Sequence, residues 1–148
     1  MLKMNIEFIN TPFRLEIYGV SGFAPNKDYV GTAFKLSGKM WEIVKANSLK
    51  NKGLNIWVYE PNEMVFTGVE LDDAPKHDIG LEAKSIALTK YAYYKHTGPY
   101  HLIKQVGLNM QNELKSKGFE VGLPYIEIYG HWTNDETKLE TELLMSLK

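Results

Sequence analysis

The chain has 148 residues, 44% of them hydrophobic and 24% charged, which suits one globular domain burying roughly 70% of its extended surface and excludes a disordered or collagenous chain. Its 17 lysines and arginines balance 18 aspartates and glutamates to a net charge of -1, with no basic block and Arg14 as the one arginine, so direct nucleic-acid binding is not expected. The absence of cysteine excludes disulfides and thiolate chemistry, no run approaches the roughly 20 apolar residues of a membrane span, and residues 1–14 lack a signal-peptide core, so a cytoplasmic location is the default expectation.

In chain order, Asn5 to Ile9 predicts a short lead-in strand, and the β-branched and aromatic run Phe13 to Gly19 predicts a longer one. Gly19-Val20-Ser21-Gly22 lacks the spacing of a nucleophile elbow, and Ser21 reads as a turn residue. Val30, Ala33, Phe34, Met40, Trp41 and Val44 recur at helical steps and predict one broad apolar stripe on a helix from Tyr29 to Asn47. Strands follow at Leu54 to Tyr59 and Met64 to Leu71, then a linker over 74–81 containing Pro75 and Gly80, then a strand from Ile86 to Lys95. A second helix, with Ile103, Val106, Met110 and Leu114 on one side, starts after Thr97-Gly98-Pro99 and ends at Lys115 to Gly118. Strands at Tyr125 to Tyr129 and Leu139 to Met145 close the chain.

The order strand, helix, strand, strand occurs twice, and short motifs keep that order. Gly53-Leu54-Asn55-Ile56-Trp57-Val58-Tyr59 aligns with Gly122 to Tyr129 when one residue is allowed near Pro124. Gly68 to Leu71 then falls near Thr141 to Leu144, and Tyr18 to Gly22 near Tyr94 to Gly98. The expectation is one α+β domain over 1–148, built as halves of about 1–73 and 82–148, each with an antiparallel sheet and a helix, and with a cleft between them.

Alternation along a strand puts Tyr125, Glu127 and Tyr129 on one face and Ile126 and Ile128 on the other, and likewise Trp57 and Tyr59 opposite Ile56 and Val58. With the isoleucines assigned to the helices, the aromatic faces are left to line a groove on the far side. Tyr18, Tyr94 and Trp132 are candidates to extend it, and Glu142 to join Glu127. Such walls stack on planar rings and attract cations, while a carboxylate among them supplies the counter-charge. His77, His96, His101 and His131 show no metal-binding spacing and read as surface histidines, and neither metal nor cofactor is expected.

Three stretches together, Lys90 to Tyr100 (KYAYYKHTGPY), Pro124 to Tyr129 (PYIEIY) and Glu140-Thr141-Glu142, resemble the GyrI-like effector-binding domains, which also form the C-terminal part of multidrug-responsive transcription regulators. The resemblance extends over nearly the whole chain, with Phe66 to Glu70 similar to the close of the family's first half. It implies a pseudo-twofold duplication of a β-β-α-β-β-like module. It also implies Glu127 as the buried carboxylate that meets cationic drugs, Glu142 as a second acidic contact, and Tyr129 and Tyr94 as aromatic neighbours. Leu144 departs from the family, whose members often carry an aromatic there, and before Asn5 no residues remain for a DNA-binding segment.

The leading expectation is a binder of lipophilic, planar, cationic small molecules, a sensor or sequestering module. A hydrolase of reactive planar compounds, with Glu127 as catalyst and Tyr129 or Tyr94 assisting, needs the same cleft. A protein-interaction role of the gyrase-inhibiting kind has no residue signature here, and the near-neutral charge argues against a DNA mimic.

Overall fold

In the computed structural model, which describes residues 4–148, the chain forms strands β1 (Glu7–Ile9) and β2 (Phe13–Phe23), helix α1 (Tyr29–Ala46), strands β3 (Asn55–Glu60), β4 (Met64–Val69), β5 (Glu82–Leu88) and β6 (Tyr91–Thr97), helix α2 (Ile103–Ser116), and strands β7 (Val121–Tyr129) and β8 (Glu140–Leu147). Short 3-10 turns at Pro25–Lys27, Tyr100–Leu102 and Glu136–Lys138 precede α1, α2 and β8. The Asp28 side chain caps α1 by accepting from the Gly31 amide at 3.1 Å. Gly118, at φ 85°, closes α2 in the left-handed conformation that its sequence position predicts.

All the strands join one antiparallel sheet in the order β1-β6-β8-β7-β3-β4-β2-β5. The two halves are joined by three pairings, β3 with β7 at the centre, β2 with β5 at one edge and β1 with β6 at the other, so each half lends its outermost strand to the other's flank and the two separate sheets expected from the sequence are one. The register at the centre, Asn55 with Tyr129, Trp57 with Glu127 and Tyr59 with Tyr125, places a pseudo-twofold between Trp57 and Glu127 that relates Tyr59 to Tyr129. This agrees with the alignment of Val58-Tyr59 on Ile128-Tyr129. Farther out the alignment slips: cross-strand pairing makes Val65 the counterpart of Thr141, and Gly68 therefore that of Leu144. The turn after β7 is longer than the one after β3, and short motifs do not register the difference.

The stretch Ile86 to Lys95 is two strands rather than one, divided at Thr89-Lys90. Ile86 and Leu88 face the same core as Tyr91, an odd step that breaks two-residue alternation and marks the division. This tight link shapes the molecule. In a flat sheet β5 and β6 stand six strand spacings apart, about 29 Å, yet Leu88 and Tyr91 are joined by three Cα steps, about 11 Å at most. The sheet must roll, and Phe13 on β2 duly meets Tyr91 on β6 with ring centroids 5.8 Å apart.

Inside the roll lies the main apolar core, which includes Ile17, Ile56, Val58, Phe66, Ile126, Ile128 and Leu144. The isoleucines of β7 thus pack within the sheet's own curvature and not against the helices, correcting the face assignment made from alternation. Alternation distinguishes two faces, and nothing in it says which one carries helices when both are apolar. Leu144 belongs to this inner core, so its departure from the family pattern does not bear on the other face.

Both helices pack on the outer face. Met40 and Val44 of α1 cover Val20 and Val69 of β2 and β4, and Met110 and Leu114 of α2 cover Ala92, Leu143 and Met145 of β6 and β8. The predicted stripe on α1 holds for Ala33, Met40 and Val44, whereas Val30 and Phe34 are 52% and 71% exposed, standing out beyond the helix's contact with the sheet.

Strand β2 continues four residues past Gly19, so Ser21 is a strand residue and donates its hydroxyl to Glu82. The glycines there serve close approach: a Cβ on Gly19 would stand 1.8 Å from the Thr67 carbonyl oxygen. Gly19→Ala is therefore expected to cost about 3 kcal/mol or more and to lower the melting temperature by roughly 6 to 12 °C. Gly38→Ala, in the middle of α1 with nothing within 4 Å of the added methyl, should leave it unchanged or raise it. Thermal unfolding of the two variants followed by circular dichroism checks both.

Candidate functional site

Because α1 lies over the β2–β4 flank and α2 over the β6–β8 flank, the central pair β3 and β7 forms the floor of a cleft between the helices. The outward residues of that floor are Asn55, Trp57 and Tyr59 on β3 and Tyr125, Glu127 and Tyr129 on β7. The predicted aromatic set is thus assembled on one face, but it is the helix-bearing face.

Glu127 is 7% exposed. Its Oε1 accepts from the Tyr59 hydroxyl at 3.0 Å and the Tyr129 hydroxyl at 2.8 Å, and its Oε2 from the Tyr125 hydroxyl at 2.7 Å. All three phenols donate to the carboxyl oxygens. Among the described residues no lysine, arginine or histidine forms an ion pair with it. A poorly solvated carboxylate without a counter-cation leaves charge for a guest to neutralise. Burial, and then the carboxylate itself, push the phenols of Tyr59, Tyr125 and Tyr129 well above the ordinary tyrosine value, so they remain protonated donors.

Aromatic packing holds this cluster. Tyr59 and Tyr125 stack with centroids 5.5 Å apart and planes at 16°, and Trp57 leans on Tyr129 at 4.7 Å. From α1, Tyr29 meets Tyr59 edge-on at 5.9 Å and Phe34 meets Trp57 at 6.2 Å. From the turn before α2, Tyr100 meets Tyr129 edge-on at 5.5 Å. α2 itself passes close by at Gly107, where an added Cβ would sit 3.6 Å from the Tyr125 hydroxyl. Tyr29, Phe34 and Tyr100 were not expected here. The signal was available for Phe34, a large apolar residue at the edge of an already wide stripe, and for Tyr100, which follows the Gly98-Pro99 helix start.

Other predicted residues lie elsewhere. Glu142 pairs across strands with Ile128 and faces the inner side, where it accepts from the Tyr93 hydroxyl at 2.5 Å; Leu143 is the residue beside Glu127. Tyr94 is on the helix side of β6 and packs under α2 in the cluster that includes Leu143 and Tyr125, next to the cleft rather than in its floor. Tyr18, opposite Val69, is separated from β3 by β4. Trp132 is 75% exposed in the loop after β7. His96 is buried rather than on the surface, its Nε2 3.3 Å from the Pro99 carbonyl, and no metal-holding group of acidic and histidine side chains occurs among the described residues.

The floor of the cleft is covered, with Trp57 and Tyr59 buried as well as Glu127. Three cavities elsewhere, of about 410, 380 and 320 Å³, are lined by other residues. Phe34 and Tyr100, both exposed, lie against Trp57 and Tyr129 at the edge of this floor.

The fold as a whole is similar to that of the EcmrR C-terminal domain, with a TM-score of 0.70 at 16% identity over 99% of this chain and 97% of that one. The chain has the GyrI-like effector-binding fold. It is also similar in fold to SAV2435, solved bound to tetraphenylphosphonium, with a TM-score of 0.67 at 16% identity over 99% of this chain and 94% of that one. A hydrolase from Listeria innocua gives a TM-score of 0.55 at 14% identity over 99% and 93% of the two chains. The chain spans 57% of the length of the EcmrR chain seen in its DNA complex. No protein-family model and no curated protein matches the sequence. As in its sequence, so in its GyrI-like structure, no described helix is long and apolar enough to cross a membrane.

Proposed function

We propose that this chain is a small-molecule-binding domain for lipophilic, planar cations, which enter between α1 and α2, stack on the tyrosines and Trp57, and neutralise Glu127. The observation that carries the reading is the buried carboxylate held by three phenols with no cation paired to it. Supporting it are the exposed aromatic side chains of Phe34 and Tyr100, which lie against Trp57 and Tyr129, and the organic cation bound by the structurally similar SAV2435. Each aromatic contact to a cation is worth about 0.5 to 2 kcal/mol, and the fixed negative charge adds discrimination against neutral ligands of the same shape.

Titration with 1-methylquinolinium and with its neutral isostere 1-methylnaphthalene tests this directly. The cation is expected to bind at least about tenfold tighter, a difference of about 1.4 kcal/mol; equal affinities would refute the proposal. Hydrolysis by Glu127 assisted by Tyr129 is the second reading, favoured by the 2.8 Å contact between them and by the similarity to a structure named a hydrolase. Product release from an electrophilic planar substrate, lost in Glu127→Gln, separates chemistry from binding.

A further inference from the structure

Five side-chain atoms among the described residues are fully buried without a hydrogen-bond partner, and four sit on β3, β4 and β8, the strands to either side of β7: Asn55 Oδ1, Trp57 Nε1, Thr67 Oγ1 and Thr141 Oγ1. The sheet register explains the grouping. Trp57 is directly across from Glu127 on one side and from Thr67 on the other, while Tyr129, which bonds Glu127, is directly across from both Asn55 and Thr141. Buried polar groups in folded proteins are nearly always paired, so a concentration of unpaired ones at one spot requires an explanation. Asn55 retains one bond, through Nδ2 to Ser37 Oγ at 2.9 Å, and threonine hydroxyls can turn toward any oxygen that arrives. The indole N–H of Trp57 is a donor only, in a residue 7% exposed, and only an acceptor can satisfy it.

From this we infer that Trp57 is a specificity residue: the ligand preferred by the cleft carries, beside its cationic centre, a hydrogen-bond acceptor such as a ring nitrogen, ether or carbonyl oxygen, which takes the Trp57 N–H. The inference rests on the binding reading above and narrows its ligand class. Its physical basis is an asymmetry. Removing the N–H from water is a cost of folding the chain and is present in every complex, so an acceptor recovers a whole bond, whereas an all-hydrocarbon cation leaves the donor unmatched. Trp57 contacts Phe34 and Tyr129, so its indole is part of the wall of the cleft that a guest on Glu127 would meet.

The test compares (naphthalen-1-yl)methyltrimethylammonium with a set of quinolinylmethyltrimethylammonium isomers in which one ring CH is replaced by nitrogen at successive positions, titrated calorimetrically into the wild type, Trp57→Phe and Glu127→Gln. At least one isomer is expected to bind the wild type about tenfold tighter than the naphthyl cation. Trp57→Phe should bind that isomer and the naphthyl cation equally while still binding both. Naphthyl and quinolinyl cations binding alike to the wild type, or a preference that survives Trp57→Phe, overturns the inference and leaves cation binding intact. If none of the cations binds, or all bind Glu127→Gln as well as the wild type, the binding reading itself has failed and this inference with it.

Discussion

Replacing Glu127 with glutamine is expected to weaken binding of 1-methylquinolinium by about 1 to 3 kcal/mol, roughly 5- to 150-fold, while leaving the fold in place. The substitution removes the charge and keeps the shape. With the amide oxygen in the position of Oε1, the Tyr59 and Tyr129 hydroxyls retain their acceptor, and the Tyr125 hydroxyl can turn to accept from the amide nitrogen. A buried carboxylate without a counter-cation is also costly to the folded state. Melting temperature is therefore expected to stay the same or rise as affinity falls, an opposition that a misfolded variant does not produce. Glu127→Ala differs: it leaves three phenols without their acceptor and opens a void, and should destabilise by about 3 kcal/mol or more. Parallel titration and thermal melts of both variants check the pair, and undiminished cation affinity in Glu127→Gln would remove Glu127 from the binding account.

The same cluster sets an alkaline limit to stability. Burial and the adjacent carboxylate raise Tyr59, Tyr125 and Tyr129 from the ordinary value of 10.0 in the folded chain. Below that value both folded and unfolded chains keep the phenols protonated, and pH has no leverage through them. Above it the unfolded chain releases protons that the folded chain holds, so stability falls as pH rises. Each such tyrosine contributes about 1.4 kcal/mol per pH unit, hence roughly 4 kcal/mol per unit for the three together. At that slope a stability of about 5 to 15 kcal/mol is exhausted roughly 1 to 4 pH units above the ordinary phenol value, so cooperative unfolding is expected above about pH 11, with phenolate absorbance of the buried tyrosines appearing together with loss of circular dichroism. Gradual ionisation of all nine tyrosines near pH 10 in a folded chain would show that the cluster is open to water.

Much of this arrangement was legible in the sequence because it depends on periodicity. Two-residue alternation gathered Trp57, Tyr59, Tyr125, Glu127 and Tyr129 onto a common face, helical spacing located both helices, and end signals bounded the second of them. What alternation lacks is a sense of which face is which. Ile126 and Ile128 looked like the helix-facing side because they are the more apolar pair, but a rolled sheet contains a core of its own. For Glu142 the error was phase: β8 meets β7 with Leu143, not Glu142, beside Glu127, and the register depends on the loop between them. Tyr29, Phe34 and Tyr100 escaped notice because a helix stripe says which residues are apolar and not which of them overhang its edge.

The pseudo-twofold has one more implication. It relates two tyrosines that look alike, yet it also brings an indole into correspondence with a carboxylate, so a scaffold with two equivalent ends has a chamber with unlike ends. On the binding proposal, a guest lying across the axis is therefore expected to be polarised in its seating, its electron-poor terminus toward the second half of the chain and its electron-rich one toward the first, so that turning it end for end would forfeit both attractions at once.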